Sequence, residues 1–398
     1  MQHLSAIVRE LASDIPLALY IHLPWCESKC PYCDFNSHPL RGVLQADRYI
    51  TALLTDLEST ARFRAGRSFS SVFFGGGTPS LFSAADIGRV LDRLEKEQLL
   101  GNSPEITLEA NPSSAEANRF RAYRDYGINR LSIGVQSFDD RALKALGRVH
   151  DSAQARAACA SVIAAGFDNF NIDLMHGLPG QDESGALADL DRAIEAEPTH
   201  LSLYQLTIEP HTAFAADPPQ LPTEEAAWDI RCAIEQRAAA AGFSHYEVSA
   251  FSLPDKRCRH NLNYWQFGDY IGLGAGAHSK ITRAGTVYRW ARPRHPRDYL
   301  GKANSGLEID NAVPVNLDDV TFEFLLNALR LKDGFCPELF EQRTGLAWQQ
   351  LQSVITKAKT DGLLEKSDDW VCTTALGWRF LDDLLQRFLM PDKGSQDA

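Results

Sequence analysis

Six short apolar runs, each ending in polar or glycine residues and each followed by an amphipathic stretch, constrain this chain more than any other feature. The runs cover 18–23, 71–76, 105–111, 130–137, 169–178 and 200–209. Most are continuously apolar over their first residues, as parallel strands buried on both faces are. The stretches 47–63, 84–98, 115–126, 152–165, 183–196 and 223–241 alternate with them at helical spacing. Strand, helix, strand, repeated six times, predicts an α/β fold: a parallel sheet with crossover helices, curved into an incomplete (βα)6 TIM-like barrel. Periodicity by itself leaves a flat doubly wound sheet open.

Polar groups sit at the carboxyl end of nearly every run. Cys26 follows the first, Gly75-Gly-Gly-Thr-Pro the second, Glu109-Ala-Asn-Pro the third and Gln136-Ser the fourth, while Asp173 and His176-Gly-Leu-Pro mark the fifth. Barrel active sites are built at that end of the strands. A seventh run (245–251) and an aromatic, glycine-rich segment (260–279) follow. Around 285–315 the chain turns basic and proline-marked, as RWARPRHPRDY, which reads as a passage to a second domain. Residues 316–390 look mostly helical, with a helix at 346–359, a short strand at 371–374 and a closing helix to about 389. The expected division is a barrel over 1–290 and a smaller, winged-helix-like domain over 291–398.

Composition excludes several roles. The formal net charge of -12 disfavours nucleic-acid binding, because an acidic chain repels phosphate backbones. No run of about 18 apolar residues offers a spanning helix. The first 16 residues carry acids and lack the apolar centre of a secretory signal. A cytoplasmic location is expected. In a reducing compartment, three of the eight cysteines crowded into positions 26–33 read as metal binding and not as a disulfide framework.

The triplet is Cys26-x3-Cys30-x2-Cys33. Structural zinc wants four ligands, and His22 or His38 could complete its tetrahedron. A [4Fe–4S] cubane held by three thiolates keeps one iron free for a small chelating molecule. Gly76, Gly77 and Thr78 form either a tight turn or a loop whose backbone approaches a ligand closely. Glu109 is a strand-end carboxylate that needs a partner if buried. Tyr20 reads as a core tyrosine or a site residue, Gln136 and Asp173 as strand-end polar groups, and Arg148 as a helix-surface cation. In His260-Asn-Leu-Asn-Tyr264-Trp265 the residues by themselves read as a hydrogen-bonded loop histidine with both rings in the core.

Taken in order, YIHLPWCESKCPYCDFNSH, FFGGGTPSL, EANP, RLSIGVQSF, LGRVH and DLMHGLPGQ resemble the radical S-adenosylmethionine (SAM) superfamily. From residue 18 to about 280 they resemble its oxygen-independent coproporphyrinogen III oxidase subfamily, and HNLNYW resembles a motif of that subfamily's heme-chaperone branch. The resemblance implies a [4Fe–4S] cluster on Cys26, Cys30 and Cys33 that, once reduced, passes an electron to the sulfonium of SAM. It implies SAM contacts from Tyr20, Gly76, Gly77, Thr78 and Glu109, and assigns Gln136, Arg148 and Asp173 to positions around a second SAM. It implies heme on His260, Tyr264 and Trp265, with an exposed histidine on the iron and the two rings against the macrocycle and with His278 and Cys258 as weaker ligands, delivered to acceptor proteins such as membrane-associated respiratory enzymes, and leaves room for a homodimer. No catalytic residue is assigned. Two departures speak against the alternative, oxidation of coproporphyrinogen III to protoporphyrinogen IX: Phe35 stands where the oxidase has a further cysteine, and only 19 residues precede Tyr20.

Overall fold

A computed structural model describes residues 15–113, 119–303, 305–309 and 311–389. The six predicted strands form in their expected places: β1 (Leu17–Leu23), β4 (Phe69–Gly76), β5 (Leu100–Ala110), β6 (Arg130–Gln136), β7 (Phe170–His176) and β8 (His200–Gln205). Two short strands, β2 (Trp25–Cys26) and β3 (His38–Pro39), pair with each other beside the cysteine loop. β1 and β4 to β8 lie side by side in chain order, all parallel. The crossover helices between them, among them Ala46–Ser59, Ala84–Lys96, Ser152–Ala164 and Glu183–Glu195, match the amphipathic stretches, as does Glu224–Ala240 after β8. Ser83 and Asp151 open two of them with capping boxes, satisfying backbone N–H groups that would otherwise lack partners. Of the predicted helix 115–126, residues 115–118 lie outside the described residues, and Phe120–Asp125 is helical.

The sheet is longer than six strands. The run 245–251 is two antiparallel strands, β9 (Ser244–Glu247) and β10 (Ala250–Ser252), because the chain reverses at 248–249 and β10 pairs back on both β9 and β8. On the other flank β11 (Asp269–Leu273) pairs parallel with β1, and an antiparallel series follows: β12 (His278–Arg283), β13 (Thr286–Ala291) and β14 (Val313–Pro314). Among the described residues the sheet has twelve strands, with β14 and β9 at its open edges. The expected domain division at 290/291 therefore falls within β13.

A separate apolar cluster built around Phe324, Phe335, Phe340 and Ile355 begins with helix Leu317–Ala328 and reaches back to Phe267 and Val287. The predicted strand at 371–374 is reduced to two isolated bridges, Val371 with Phe335 and Thr373 with Leu364. The closing helix is broken at Phe380 into Ala375–Arg379 and Leu381–Gln386.

Charged side chains fasten the returning chain to the barrel. Asp56, fully buried on helix Ala46–Ser59, pairs with the buried Arg292 and accepts from Gly274 N–H at 3.1 Å and Tyr299 O–H at 2.9 Å. Removing one member of such a set strands the other as a buried charge, which costs about 3–5 kcal/mol. Asp56→Ala should lower the unfolding free energy by that amount in urea titration, whereas a surface ion pair such as Asp47–Arg89 should give no more than about 1 kcal/mol.

Candidate functional site

All eleven side chains and glycines assigned to SAM or heme, and all three clustered cysteines, line one cavity of about 1110 Å³. Its mouth is the cysteine loop after β1. Cys26, Cys30 and Cys33 are free thiols, half-buried, on a loop held at both ends. Phe214 N–H donates to the Pro31 carbonyl at 3.0 Å, and the Tyr32 ring packs against an apolar cluster that includes Phe214 and Leu206. Burial pushes the Cys26 thiol up, a contact with Thr78 opposes this, and the nearby Cys33 and Cys30 add to the rise. Among the described residues no three His, Cys, Asp or Glu side chains converge on a single ion position. A cubane takes its thiolates at separate iron corners, so it does not require that convergence. His22 is committed elsewhere: its Nε2–H donates to the Asn36 carbonyl at 3.0 Å, leaving Nδ1 to accept from Tyr20 O–H at 3.0 Å. His38 contacts Asn36 Oδ1 at 3.3 Å.

The glycine loop ends β4. A Cβ on Gly77 would stand 2.5 Å from the Trp25 carbonyl oxygen, and one on Gly76, at φ +120°, 2.6 Å from the His22 ring. Glycine is thus required here by close packing on the strand that leads into the cysteine loop. The same packing places Gly76, Gly77 and Thr78 on the cavity wall. Gly76 N–H donates to Glu109 Oε2 at 3.1 Å. Burial pushes the Glu109 carboxyl up to about 8, and the nearby Asp173 carboxylate adds to this while the Gly76 N–H opposes it. Asp173 is raised by burial too, although Asn171 and Ser132 donate to it at 2.7 and 3.2 Å.

Arg148 is no surface cation. Its Nη2 donates to Asn111 Oδ1 at 2.8 Å and to the Gly134 carbonyl at 2.7 Å, while Nη1 lies 3.5 Å from Cys30 Sγ. Asn111 in turn donates to Thr78 Oγ1 at 3.0 Å. Asn111 therefore ties the glycine loop to the cysteine loop through Arg148; its signal was the Asn of EANP. Gln136 sits at φ +69° beside a register irregularity between β6 and β7, a strained backbone that re-aims its side chain at a strand end.

The heme-motif histidine is not exposed, and its segment is not a loop. Residues Arg259–Trp265 form a helix across the barrel's amino-terminal end, opposite the cysteine loop. Glu105 near the start of the paired part of β5 accepts Arg259 N–H at 3.1 Å and His260 N–H at 3.0 Å, fixing the helix there. His260 is 1% exposed. Its ring stacks on Phe73 at 4.9 Å and meets Tyr264 edge-on at 5.1 Å, and Nδ1 bonds Ser71 Oγ at 2.9 Å. Nε2 has no hydrogen-bond partner. Burial, with the buried Arg130 cation nearby, lowers its pKa to about 3, which keeps the imidazole neutral. Trp265 stacks under Arg330, whose Nη2 bonds Glu247 at 3.3 Å. Arg330 also lines the cavity, and nothing in its local sequence signals this. Cys258 is buried on Glu105 and faces away from the cavity lining, whereas His278 is exposed and borders it.

The Glu109 carboxyl sets a pH signature. Its folded pKa lies above the ordinary value, so its contribution to stability is complete below about pH 4.5 and is lost as pH rises through about 8. Glu109→Gln should therefore stabilise the metal-free protein relative to the parent increasingly from pH 5 to 9, by about 1–2 kcal/mol at the upper end given water in the cavity. A melting-temperature difference that does not change with pH would refute this.

Residues 20–193 match the Radical SAM superfamily, and residues 315–380 match the HemN C-terminal domain. The chain is 45% identical over 375 residues to the heme chaperone HemW of Escherichia coli, covering 94% of this chain and 98% of that one. It is 44% identical over 380 residues to the heme chaperone HemW of Haemophilus influenzae, again covering 94% and 98%. Coproporphyrinogen III oxidase (HemN) from Escherichia coli, a radical SAM enzyme, has the same fold, with a TM-score of 0.79 at 24% identity over 97% of this chain and 92% of that one. With identity this high over nearly the full length of both chains, the protein belongs to the HemW family of heme chaperones within the radical SAM superfamily.

Proposed function

We infer that this protein binds heme and passes it to acceptor proteins, with a SAM-ligated [4Fe–4S] cluster as a regulatory element at the mouth of the same cavity. The observation that carries this reading is the single cavity itself, which joins the cysteine loop and glycine loop to the buried face of His260. Cys26, Cys30 and Cys33 would hold the cluster, and the iron they leave free would take the amine and carboxylate of SAM. When bound, that pair supplies one-electron chemistry at the sulfonium.

The chain's own groups have distinct tasks. Gly76 and Gly77 shape the wall, and Thr78 and Asn111 present polar edges to it. Glu109, whose carboxyl burial holds protonated near neutral pH, would be the group to face the cationic end of SAM and could give up its proton there. Tyr20 stands beside Glu109 with its hydroxyl kept protonated by burial, an effect that the Glu109 carboxylate adds to whenever it is ionised. Gln136 and Asp173 line the next layer of the cavity, where a second SAM remains a proposal. Arg148 contacts Cys30, so its cation would lie beside a cluster held by that thiolate and would favour the more negative, reduced state.

His260 suits an iron ligand because its imidazole is neutral and its Nε2 is unclaimed. Tyr264 and Trp265 supply aromatic surface on the same helix. The barrel is proposed to end near residue 315, where the β14 pairing is complete and the second apolar cluster begins. No helix among the described residues is long and apolar enough to cross a membrane. We place the protein in the cytoplasm, with any membrane-associated acceptor reached by docking, and a homodimer as its self-association.

Heme titration of the reconstituted protein tests this reading. The parent should develop a ligated-heme absorbance band. His260→Ala should weaken binding by at least about tenfold, roughly the 1.4 kcal/mol that separates a kept from a lost ligand bond at minimum. His278→Ala should leave it unchanged. Loss in His278→Ala alone would move the ligand to the cavity rim.

A further inference from the structure

The basic, proline-marked segment borders the cavity at Ala291, Arg292 and Arg294, and the fold gives its outer side a separate neighbour. Gly276 N–H donates to the Pro293 carbonyl at 2.9 Å, and Asn36 Nδ2 donates to the Arg294 carbonyl at 2.9 Å, so residues 293–297 lie along the cysteine loop. His295 and His38 meet edge to face at 5.2 Å. Between this segment and residues 38–48 runs an outward-facing groove of about 520 Å³. Three arginines (Arg41, Arg48 and Arg297) and two histidines line it, with no carboxylate, on a chain whose net charge is -12. All three arginines are exposed. Asp298 is near Arg297 at 4.0 Å, and Asp47 is already engaged by Arg89 at 2.7 Å. The groove's apolar surface is Trp25, Leu40 and Val43, the last 90% exposed.

This groove is the outer side of the strand that carries Cys26. Trp25 lines the groove while Cys26, the next residue, lines the cavity. Leu40, a groove residue, donates its N–H directly to the Cys26 carbonyl at 2.8 Å. A group seated in the groove is one peptide unit or one hydrogen bond from a proposed cluster ligand, and it leaves the cavity mouth free for SAM and heme.

The geometry points to a docking site for an acidic protein that carries a one-electron redox centre and reduces the cluster from behind. The inference rests on the three cysteines being the cluster ligands. The transfer is one electron: the donor's centre is oxidised by one unit, the cluster goes from the 2+ to the 1+ state, and no atom or proton changes place. Positive charge with no carboxylate among the lining residues steers an acidic partner and makes its approach salt-dependent. The groove is concave with an exposed apolar lip, which accepts a protruding protein loop and fits a flat anionic lipid surface poorly.

The test compares the full, cluster-loaded protein with the Arg41→Glu/Arg48→Glu/Arg297→Glu variant. Cluster content, heme binding and melting temperature establish that the variant is folded and loaded; a variant lacking the cluster would be replaced by the milder Arg→Gln set. Reduction by a pre-reduced acidic [2Fe–2S] ferredoxin is followed by stopped-flow absorbance from about 50 to 300 mM salt, beside reduction by dithionite. The parent should be reduced by the ferredoxin at a rate that falls steeply with salt. The variant should be at least about tenfold slower at low salt with little salt dependence, while dithionite reduces both alike. Equal ferredoxin rates overturn the proposal. So does loss of binding to phosphatidylglycerol vesicles without loss of ferredoxin reduction, which would make the groove a membrane contact. If Cys26→Ala, Cys30→Ala and Cys33→Ala all retain the cluster, the cysteine assignment fails instead.

Discussion

Two backbone hydrogen bonds hold the site together. Gly77 N–H donates to the Leu23 carbonyl at 2.8 Å and Thr78 N–H to the Trp25 carbonyl at 2.7 Å. They extend the pairing of β1 and β4 beyond the sheet, past the point where the strands diverge in a barrel, and so bring the start of the cysteine loop against the glycine loop. No side chain fits between: the absent Cβ atoms of Gly76 and Gly77 would occupy the His22 ring and the Trp25 carbonyl. Everything else at the mouth is arranged around this contact, including the Asn111–Arg148 bridge and the Gly76–Glu109 bond.

Below the mouth the interior is polar where an ordinary barrel core is apolar. Ser132, Asn171, His200, Ser202 and Tyr246 form one continuous hydrogen-bonded chain, with Asn171 Oδ1 accepting from His200 at 2.6 Å and His200 contacting Tyr246 O–H at 2.8 Å. Such a network holds if its members are satisfied and is costly if they are not. The unclaimed Nε2 of His260 beside it is the kind of exception that points to a ligand. The position is unusual for a functional residue, since the amino-terminal end of a barrel ordinarily serves stability. Here the helix Arg259–Trp265 both closes that end and faces the cavity.

The parallel strands were legible because each is a short apolar run with its own polar terminus, and the helices because amphipathic stretches recur between those runs at helical spacing. The site around the cysteines was legible for the same reason: its residues sit at strand ends. What escaped depends on partners far away in sequence. The HNLNYW segment is a buried helix because Glu105, 155 positions before His260, binds its first N–H groups. Arg148 turns inward because Asn111 and Gly134 accept from it. The run 245–251 reads as one strand in period and hydrophobicity, yet it bends to pair with both β8 and itself. Arg330 reaches the cavity from the second apolar unit, a relation no local pattern carries.

The central claim is that this fold uses its cluster and SAM around a bound heme and does not decarboxylate a porphyrinogen. Phe35, 65% exposed at the cavity rim, stands where the oxidase subfamily resemblance calls for a cysteine. The most direct measurement is an anaerobic incubation of the cluster-loaded protein with SAM, reductant and coproporphyrinogen III, followed by porphyrin analysis, run beside a heme titration of the same preparation. The account predicts saturable heme binding and no protoporphyrinogen IX. Turnover to protoporphyrinogen IX, with or without heme binding, would contradict it.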